Sequence, residues 1–431
     1  MKKNERKRNG FAGGKRLAAL ALAGLTALGL GACSAGSSYT GNSTANPNAY
    51  ELTKGAVRTN FVTADMMASA DLWLDQDDTA VADVMRRAEA GESITIAVIG
   101  GSITEGTIST GTLDSKVVGA KSSYANIFFE WWTAMFPEAD LQFVNAGIGG
   151  TDSYLGLHRV TEDVLSYEPD LVLVEYAVND ASTDFYQTCY DNLVRTILTD
   201  ECSPAVILYF FGQTNGSTAQ GKQSAIGLAY GLPMFSYYNV IRDLMADETY
   251  TAAELSGDTV HPSALGHAIA GEILWHYLNE VYANRERYGK VGTFACEAVT
   301  EEKYTDATIL DSDDVTPDTL GTFTQAKVTD YFPIGWQTTA GEGGITFTTT
   351  FKNLGILYQK TVDGLSGRFE VYVDGTWAGT INADFTDGWG NAIEGTEVYT
   401  SETAAAHTVT IRKAADSEGE KFNLLGLLVS Q

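Results

Sequence analysis

Past Leu30 the chain has no run of about 20 apolar residues, the length a membrane-spanning helix requires. Basic residues are scarce. There are 28 Lys and Arg against 55 Asp and Glu, a formal charge of −27. A surface this acidic repels nucleic acid and anionic headgroups, so neither is expected as a partner. Of the four cysteines none sits in a C-x-x-C pair, and no H-E-x-x-H occurs, so a zinc site has no support. Cys189, Cys202 and Cys296 read as buried free thiols. A helix ending near Thr199 would carry the chain about 15 Å beyond Cys189, leaving a bridge to Cys202 only a tight return. Histidine is limited to His158, His261, His267, His276 and His407, which shortens the search for a general base. What remains is ordinary: 431 residues, 44% of them hydrophobic, enough for two domains with a sizeable core.

The basic residues that exist crowd the front. Lys2, Lys3, Arg6, Lys7, Arg8, Lys15 and Arg16 precede LAALALAGLTALGL, a stretch suited to a signal peptide and short for a span. Leu30-Gly31-Ala32-Cys33 follows and resembles the lipobox of bacterial lipoproteins, which implies lipidation at Cys33. The alternative is a conventional signal peptide cleaved nearby. Loss of residues 1–32 removes seven basic residues and Glu5, lowering the formal charge from −27 to −33. Residues 34–55 are rich in Ser, Thr, Asn and Gly, the composition of a flexible tether. The expectation is a body held on the extracellular face of the membrane by its lipid anchor alone.

From residue 56 to about 290, buried β-branched strands alternate with helical patterns. ITIAVIG and LVLVE read as strands covered on both faces, LQFVN and AVILYF as further strands, and Leu232–Phe235 as a short fifth. The helices expected between them span about 77–91, 123–136, 154–165, 182–199, 238–245 and 263–282. This alternation argues for a doubly wound parallel sheet. The residues from 291 to 431 have few helical patterns. Ile345–Phe351, Arg368–Val373 and Thr408–Arg412 alternate as half-buried strands, and Asp374-Gly375 marks a hairpin. This segment reads as a C-terminal β-sandwich accessory domain. Trp336, Trp377 and Trp389 fall within it and read as core, with stacking on sugar rings the alternative. The acidic run Asp311–Asp314 reads as a solvated loop rather than a calcium site.

The chemistry gathers at strand ends. Ser102 follows the first strand on a Gly100-Gly101 turn. Gly101 to Thr107 has the glycine spacing of a phosphate loop but lacks its lysine, and a Gly-Ser helix cap is the bland reading. Gly150 follows the second strand and can offer an unobstructed N–H. Asn179 follows the third and offers an amide, and His261 lies three residues after Asp258, before the last helix. In a parallel sheet all these points share one edge. A serine needs an imidazole to take its proton, and the imidazole needs a carboxylate to fix its tautomer. The tetrahedral intermediate needs donors for its oxyanion, here the N–H groups of Ser102 and Gly150 and the Asn179 amide. His267 is the one rival base. His276 reads as structural, His158 as a helix-surface residue, and Asp152 and Asp180 as caps or turn residues.

The blocks G-G-S-I-T around Ser102, N-A-G-I-G-G ending at Gly150, A-V-N-D with Asn179 and D-T-V-H from Asp258 to His261 resemble those of the SGNH hydrolases. These are also called the GDSL esterase/lipase superfamily. The resemblance covers about residues 90–285 and implies a flavodoxin-like three-layer domain with a five-stranded parallel sheet. It implies a serine esterase with Ser102 as nucleophile, His261 as base and Asp258 as its orienting acid, and no metal or cofactor. Two positions depart from the family pattern: Gly101 stands where Asp is usual and Ala177 where Gly is usual. Both resemble variants of carbohydrate-active members. Together with export and an appended domain, they make an acetylated polysaccharide or oligosaccharide the expected substrate. Alternatives are a lipid esterase or lysophospholipase, and a non-catalytic glycan-binding surface lipoprotein. Transfer of the acyl group to an alcohol would use the same residues.

Overall fold

The computed structural model describes residues 61–72, 76–114, 122–332, 334–341 and 343–431. The signal-like stretch, Cys33 and the tether lie outside the described residues, as does the 115–121 part of the loop after Ser102. Five parallel strands form the first sheet: β1 (Ser93–Gly100), β2 (Asp140–Gly147), β3 (Leu171–Glu175), β4 (Ala205–Phe210) and β5 (Met234–Ser236). Their order is β2-β1-β3-β4-β5, the flavodoxin-like arrangement. Successive side chains of a strand point to opposite faces, and here both faces are covered. Ile94, Ile96 and Val98 enter one core, while Ala97 and Ile99 enter the other. Leu171 and Leu173 likewise oppose Val172 and Val174. Nearly continuous apolar runs in β1, β3 and β4 are the consequence, while the edge strand β2 is only partly buried and carries Gln142 and Asn145.

The helices are α1 (Ala64–Ala70), α2 (Thr79–Glu89), α3 (Ser102–Glu105), α4 (Tyr124–Met135) and α5 (Ser153–Asp163). They continue as α6 (Asp184–Leu198), α7 (Gln220–Tyr230), α8 (Tyr237–Ala246), α9 (Ala252–Leu255) and α10 (Ala264–Asn284). Side-chain caps fix several starts: Ser123, Asp152, Thr183 and Ser263 each accept from a backbone N–H one turn ahead. Helices α2, α4, α8 and α10 cover one face of the sheet, and α5, α6 and α7 cover the other. None of the described helices is long and apolar enough to cross a membrane.

The C-terminal domain is an antiparallel sheet. Its strands are β6 (Thr308–Leu310), β7 (Thr324–Lys327), β8 (Ile334–Thr338), β9 (Ile345–Lys360), β10 (Arg368–Val373), β11 (Thr376–Asn382), β12 (Ala392–Lys413) and β13 (Phe422–Ser430). They pair in the order β11-β10-β12-β9-β13-β8-β7, with β6 on β13. Asp374 and Gly375 both have positive φ, at 51° and 75°, which joins β10 to β11 by the turn the dipeptide signals. Trp336, Phe347, Phe369 and Phe422 fill the core of this domain.

The other face of the sheet packs on the α/β domain. Leu357, Ile393, Leu425 and Leu428 join Tyr154 and Leu157 of α5 in one cluster. Tyr154 lies so close to β9 and β12 that a Cβ at Gly355 would stand 2.3 Å from its hydroxyl, and one at Gly395 3.4 Å from its ring. This interface corrects several expectations. His158 on α5 is buried at 3% exposure instead of lying on the surface, because the C-terminal domain brings Tyr304 against it. Trp377 and Trp389 are 58% and 71% exposed, so only Trp336 of the three belongs to the core. Cys189 is buried, but Cys202 is half-buried and Cys296 is exposed, on the connection running outside the sheets.

Candidate active site

Strand β1 ends on Gly100 and Gly101, and the chain turns at once into the short helix α3 with Ser102 at its start. The first N–H groups of a helix have no partner within it, which leaves the Ser102 N–H available. The turn is tight. A Cβ at Gly100 would meet Thr104 Oγ1 at 2.3 Å, and one at Gly101 would meet Asn179 Oδ1 at 2.3 Å.

Ser102 Oγ lies 2.8 Å from His261 Nε2. His261 Nδ1 lies 2.7 Å from Asp258 Oδ2. Asp258 Oδ1 also accepts the backbone N–H groups of Val260 and His261, at 3.0 and 2.8 Å. Thr259 takes a left-handed φ of 75° to close this loop around the carboxylate. Partial burial works against the Asp258 charge, but the His261 side chain and these backbone donors outweigh it and hold the carboxyl below its ordinary value. An ionised Asp258 on Nδ1 keeps the proton there, so Nε2 faces Ser102 as an acceptor. The loop itself is braced by Ser109: its N–H donates to Pro262 O, its Oγ donates to His261 O, and its Oγ accepts from Gly257 N.

Gly150 and Asn179 stand at the ends of β2 and β3, beside this pair. Ile148 N–H donates to Gly100 O at 3.1 Å, which ties the Gly147–Gly150 turn to the nucleophile turn. Gly150 has φ 73°, a conformation that favours glycine. Asn179 Oδ1 is buried without a partner, and its amide group belongs to the wall of the neighbouring cleft.

His267 does not meet Ser102. Its Nδ1 accepts from Tyr124 N and its Nε2 donates to Thr107 O, so both ring nitrogens are used. Complete burial pushes it down to about 4, a neutral ring in a structural role. Asp152 caps α5 and accepts from Tyr186 OH at 2.9 Å, while Asp180 accepts from Ser153 N and Gln223 Nε2.

Residue patterns alone did not reveal four further groups. Glu175, fully buried at the end of β3, accepts from Thr104 Oγ1 at 3.1 Å and leaves Oε1 unpartnered; burial pushes it up to about 7. Arg159 of α5 is buried beneath the turn and donates to Gly100 O and Tyr176 OH. Glu105 of α3 meets Tyr331 of the C-terminal domain. Trp389 of that domain lies over Gly150, where a Cβ would stand 3.0 Å from its ring. Only Trp389 had a sequence signal, as one of three possible sugar-stacking tryptophans.

A cleft of about 540 Å³ opens between the domains from Gly150 and Asn179. Asp152, Tyr186, Ile393 and Glu394 continue its lining, so α5, α6 and β12 build it together. Among the described residues no group of three or more His, Cys, Asp or Glu is arranged to hold a metal ion.

Residues 98–269 match the GDSL-like Lipase/Acylhydrolase family. The chain is similar to a solved two-domain esterase active on acetylated mannans. They share 28% identity over 85% of this chain and 98% of the other, with a TM-score of 0.75. The same esterase co-crystallised with mannopentaose gives 28% identity over the same shares and a TM-score of 0.74. An acetylxylan esterase from Geobacillus stearothermophilus is 21% identical over 44% of this chain and 96% of its own, with a TM-score of 0.36. No curated protein matches.

Proposed function

From the premise that its α/β domain belongs to the GDSL-like lipase/acylhydrolase family, we propose that this chain is a serine esterase removing O-acetyl groups from a neutral polysaccharide of the mannan class. The observation that carries the reading is the continuous Ser102–His261–Asp258 contact, 2.8 and 2.7 Å, with Gly150 and Asn179 beside it lining a cleft shared by two domains. The two-domain esterase active on acetylated mannans supports the substrate class, since the likeness extends through both domains.

Ser102 Oγ attacks the acetyl carbonyl as its proton passes to His261 Nε2. Asp258 stabilises the imidazolium without taking the proton. The oxyanion falls to the N–H groups of Ser102 and Gly150 and the Asn179 amide, each donor worth about 3 kcal/mol. His261 returns the proton to the departing sugar hydroxyl, leaving acetyl on Ser102. Water then attacks, losing its proton to His261, and acetate leaves as Ser102 regains a proton. Trp389, exposed over Gly150, offers a flat apolar face beside the reacting ester, suited to a sugar ring. The polar lining of the cleft favours a glycan over a fatty acyl chain. Basic residues, an apolar stretch and Cys33 support export and a lipid anchor on the outer face of the cell membrane.

Acetate release from acetylated mannan, xylan and pectin, compared with Ser102→Ala, tests this reading. It predicts release from mannan that disappears in the variant. Release only from p-nitrophenyl esters of long acyl chains would move the enzyme to lipid substrates.

A further inference from the structure

The Gly147–Gly150 turn carries a proposed oxyanion donor, and three glycines in four residues give it little stiffness of its own. Its restraints come from its neighbours. On the strand side Ile148 N–H is held by Gly100 O. On the other side stands Glu105, three residues after the nucleophile on α3. The Gly149 backbone faces the Glu105 carboxylate and favours its charged form against the burial that raises its pKa. The approach is close enough that a Cβ at Gly149 would stand 2.9 Å from Oε2. Glu105 therefore links the nucleophile helix to the oxyanion turn.

That carboxylate has a second partner. Tyr331, 226 residues further along and part of the C-terminal domain, donates its hydroxyl to Glu105. Trp389, from the same domain, lies against Gly150. Two separate segments of one domain thus reach the oxyanion turn, Trp389 directly at Gly150 and Tyr331 by way of Glu105.

We propose that Glu105 and Tyr331 are positioning residues through which the C-terminal domain fixes the Gly149–Gly150 oxyanion turn. The inference rests on the reading of Ser102 as nucleophile. A glutamate on a helix surface has three side-chain torsions and abundant water to choose from. Tyr331 selects the one arrangement in which the carboxylate faces the Gly149 backbone. Without it the turn loses that carboxylate at Gly149, and the neighbouring Gly150 N–H drifts off the position where the oxyanion forms. A donor hydrogen bond is lost within about 1 Å of such drift. The C-terminal domain is then part of the catalytic apparatus in addition to any hold it has on the glycan.

The test uses the full chain and p-nitrophenyl acetate, an ester too small to need the sugar cleft. Tyr331→Phe is expected to lower kcat about fivefold with KM and Tm little changed, and Glu105→Ala to lower it roughly tenfold. The double variant should be no slower than Glu105→Ala, since both act through one contact. Glu105→Gln, whose amide oxygen still accepts, should restore most of the rate. If Ser102→Ala abolishes turnover but Tyr331→Phe keeps full kcat, or the two effects multiply, the inference is overturned and the esterase reading stands. Turnover in the unaltered chain that does not depend on Ser102 overturns both.

Discussion

Gly101→Ala isolates the Asn179 amide without deleting it. The backbone at Gly101 is extended, with φ −88° and ψ −150°, so alanine fits the conformation itself. The obstacle is the new Cβ, which would stand 2.3 Å from Asn179 Oδ1 and 2.9 Å from its Cγ. To regain ordinary contact the amide must retreat by about 1 Å, far enough to break a hydrogen bond to the oxyanion. Loss of one such donor costs about 3 kcal/mol of transition-state stabilisation, or on the order of 10²-fold in kcat. Stability should change little, because replacing glycine gains roughly 0.4–1 kcal/mol through the unfolded chain and offsets part of the steric cost. The assay is kcat and KM on p-nitrophenyl acetate beside Tm for Gly101→Ala, Asn179→Ala and the double variant. With Asn179 shortened the Cβ has room, so the double variant should match Asn179→Ala alone. A folded Gly101→Ala protein with kcat within about twofold of the unaltered chain would refute the assignment of Asn179 as an oxyanion donor.

Other consequences are as definite. Asp258→Asn should lower kcat by about 10²–10⁴-fold at unchanged Tm, since the half-exposed side chain adds little to stability but fixes the His261 tautomer. The depressed Asp258 carboxyl stays ionised through neutral pH, so its contribution is present above about pH 4 and disappears only in stronger acid. Glu175 has the opposite sign. Desolvation pushes its carboxyl up to about 7, so the folded chain holds more protons than the unfolded one between about pH 4 and 7, and stability falls as pH rises through that window. The Tm of Glu175→Gln relative to the unaltered chain should therefore be higher at pH 8 than at pH 5, and an equal difference at both would contradict this. Trp389→Ala should raise KM for acetylated oligosaccharides about tenfold, the worth of one stacked ring, a larger effect than on KM for p-nitrophenyl acetate.

Legibility in the sequence followed the physical source of each signal. Strands apolar on both faces announced themselves, so β3 and β4 run over the expected residues, Leu171–Glu175 and Ala205–Phe210. Helices α4, α5, α6, α8 and α10, each with a side-chain cap at the start, were placed within a residue or two, whereas α1, capped by Thr63, was not foreseen. α7 escaped notice because Gly221 and Gly227 break its apolar pattern, and Gly227 is needed there: a Cβ would stand 2.2 Å from Met234 Sδ. In the C-terminal domain only Thr408–Arg412 of β12 was visible. The strand runs from Ala392 to Lys413 because pairing with β9 holds residues whose own pattern is polar or small, such as Glu394 to Glu397 and Ala405 to Thr408, on either side of a bulge between Thr400 and Ala405. Around Ser102, motif spacing exposed the groups whose roles depend on chain position. Glu105, Glu175, Arg159, Tyr331 and the placement of Trp389 depend on contacts between distant segments. One sequence carries no periodic trace of those contacts.

The most direct test of the account is the chemistry at Ser102. Rapid acid quenching of the enzyme during turnover of p-nitrophenyl acetate, followed by peptide mass spectrometry, reads whether acetyl is attached there. The account predicts an acetyl group on Ser102 that appears before steady state and is absent from Ser102→Ala, which should also release no acetate. Acetate release at full rate by Ser102→Ala, or acetyl trapped on another residue with Ser102 unmodified, would contradict it.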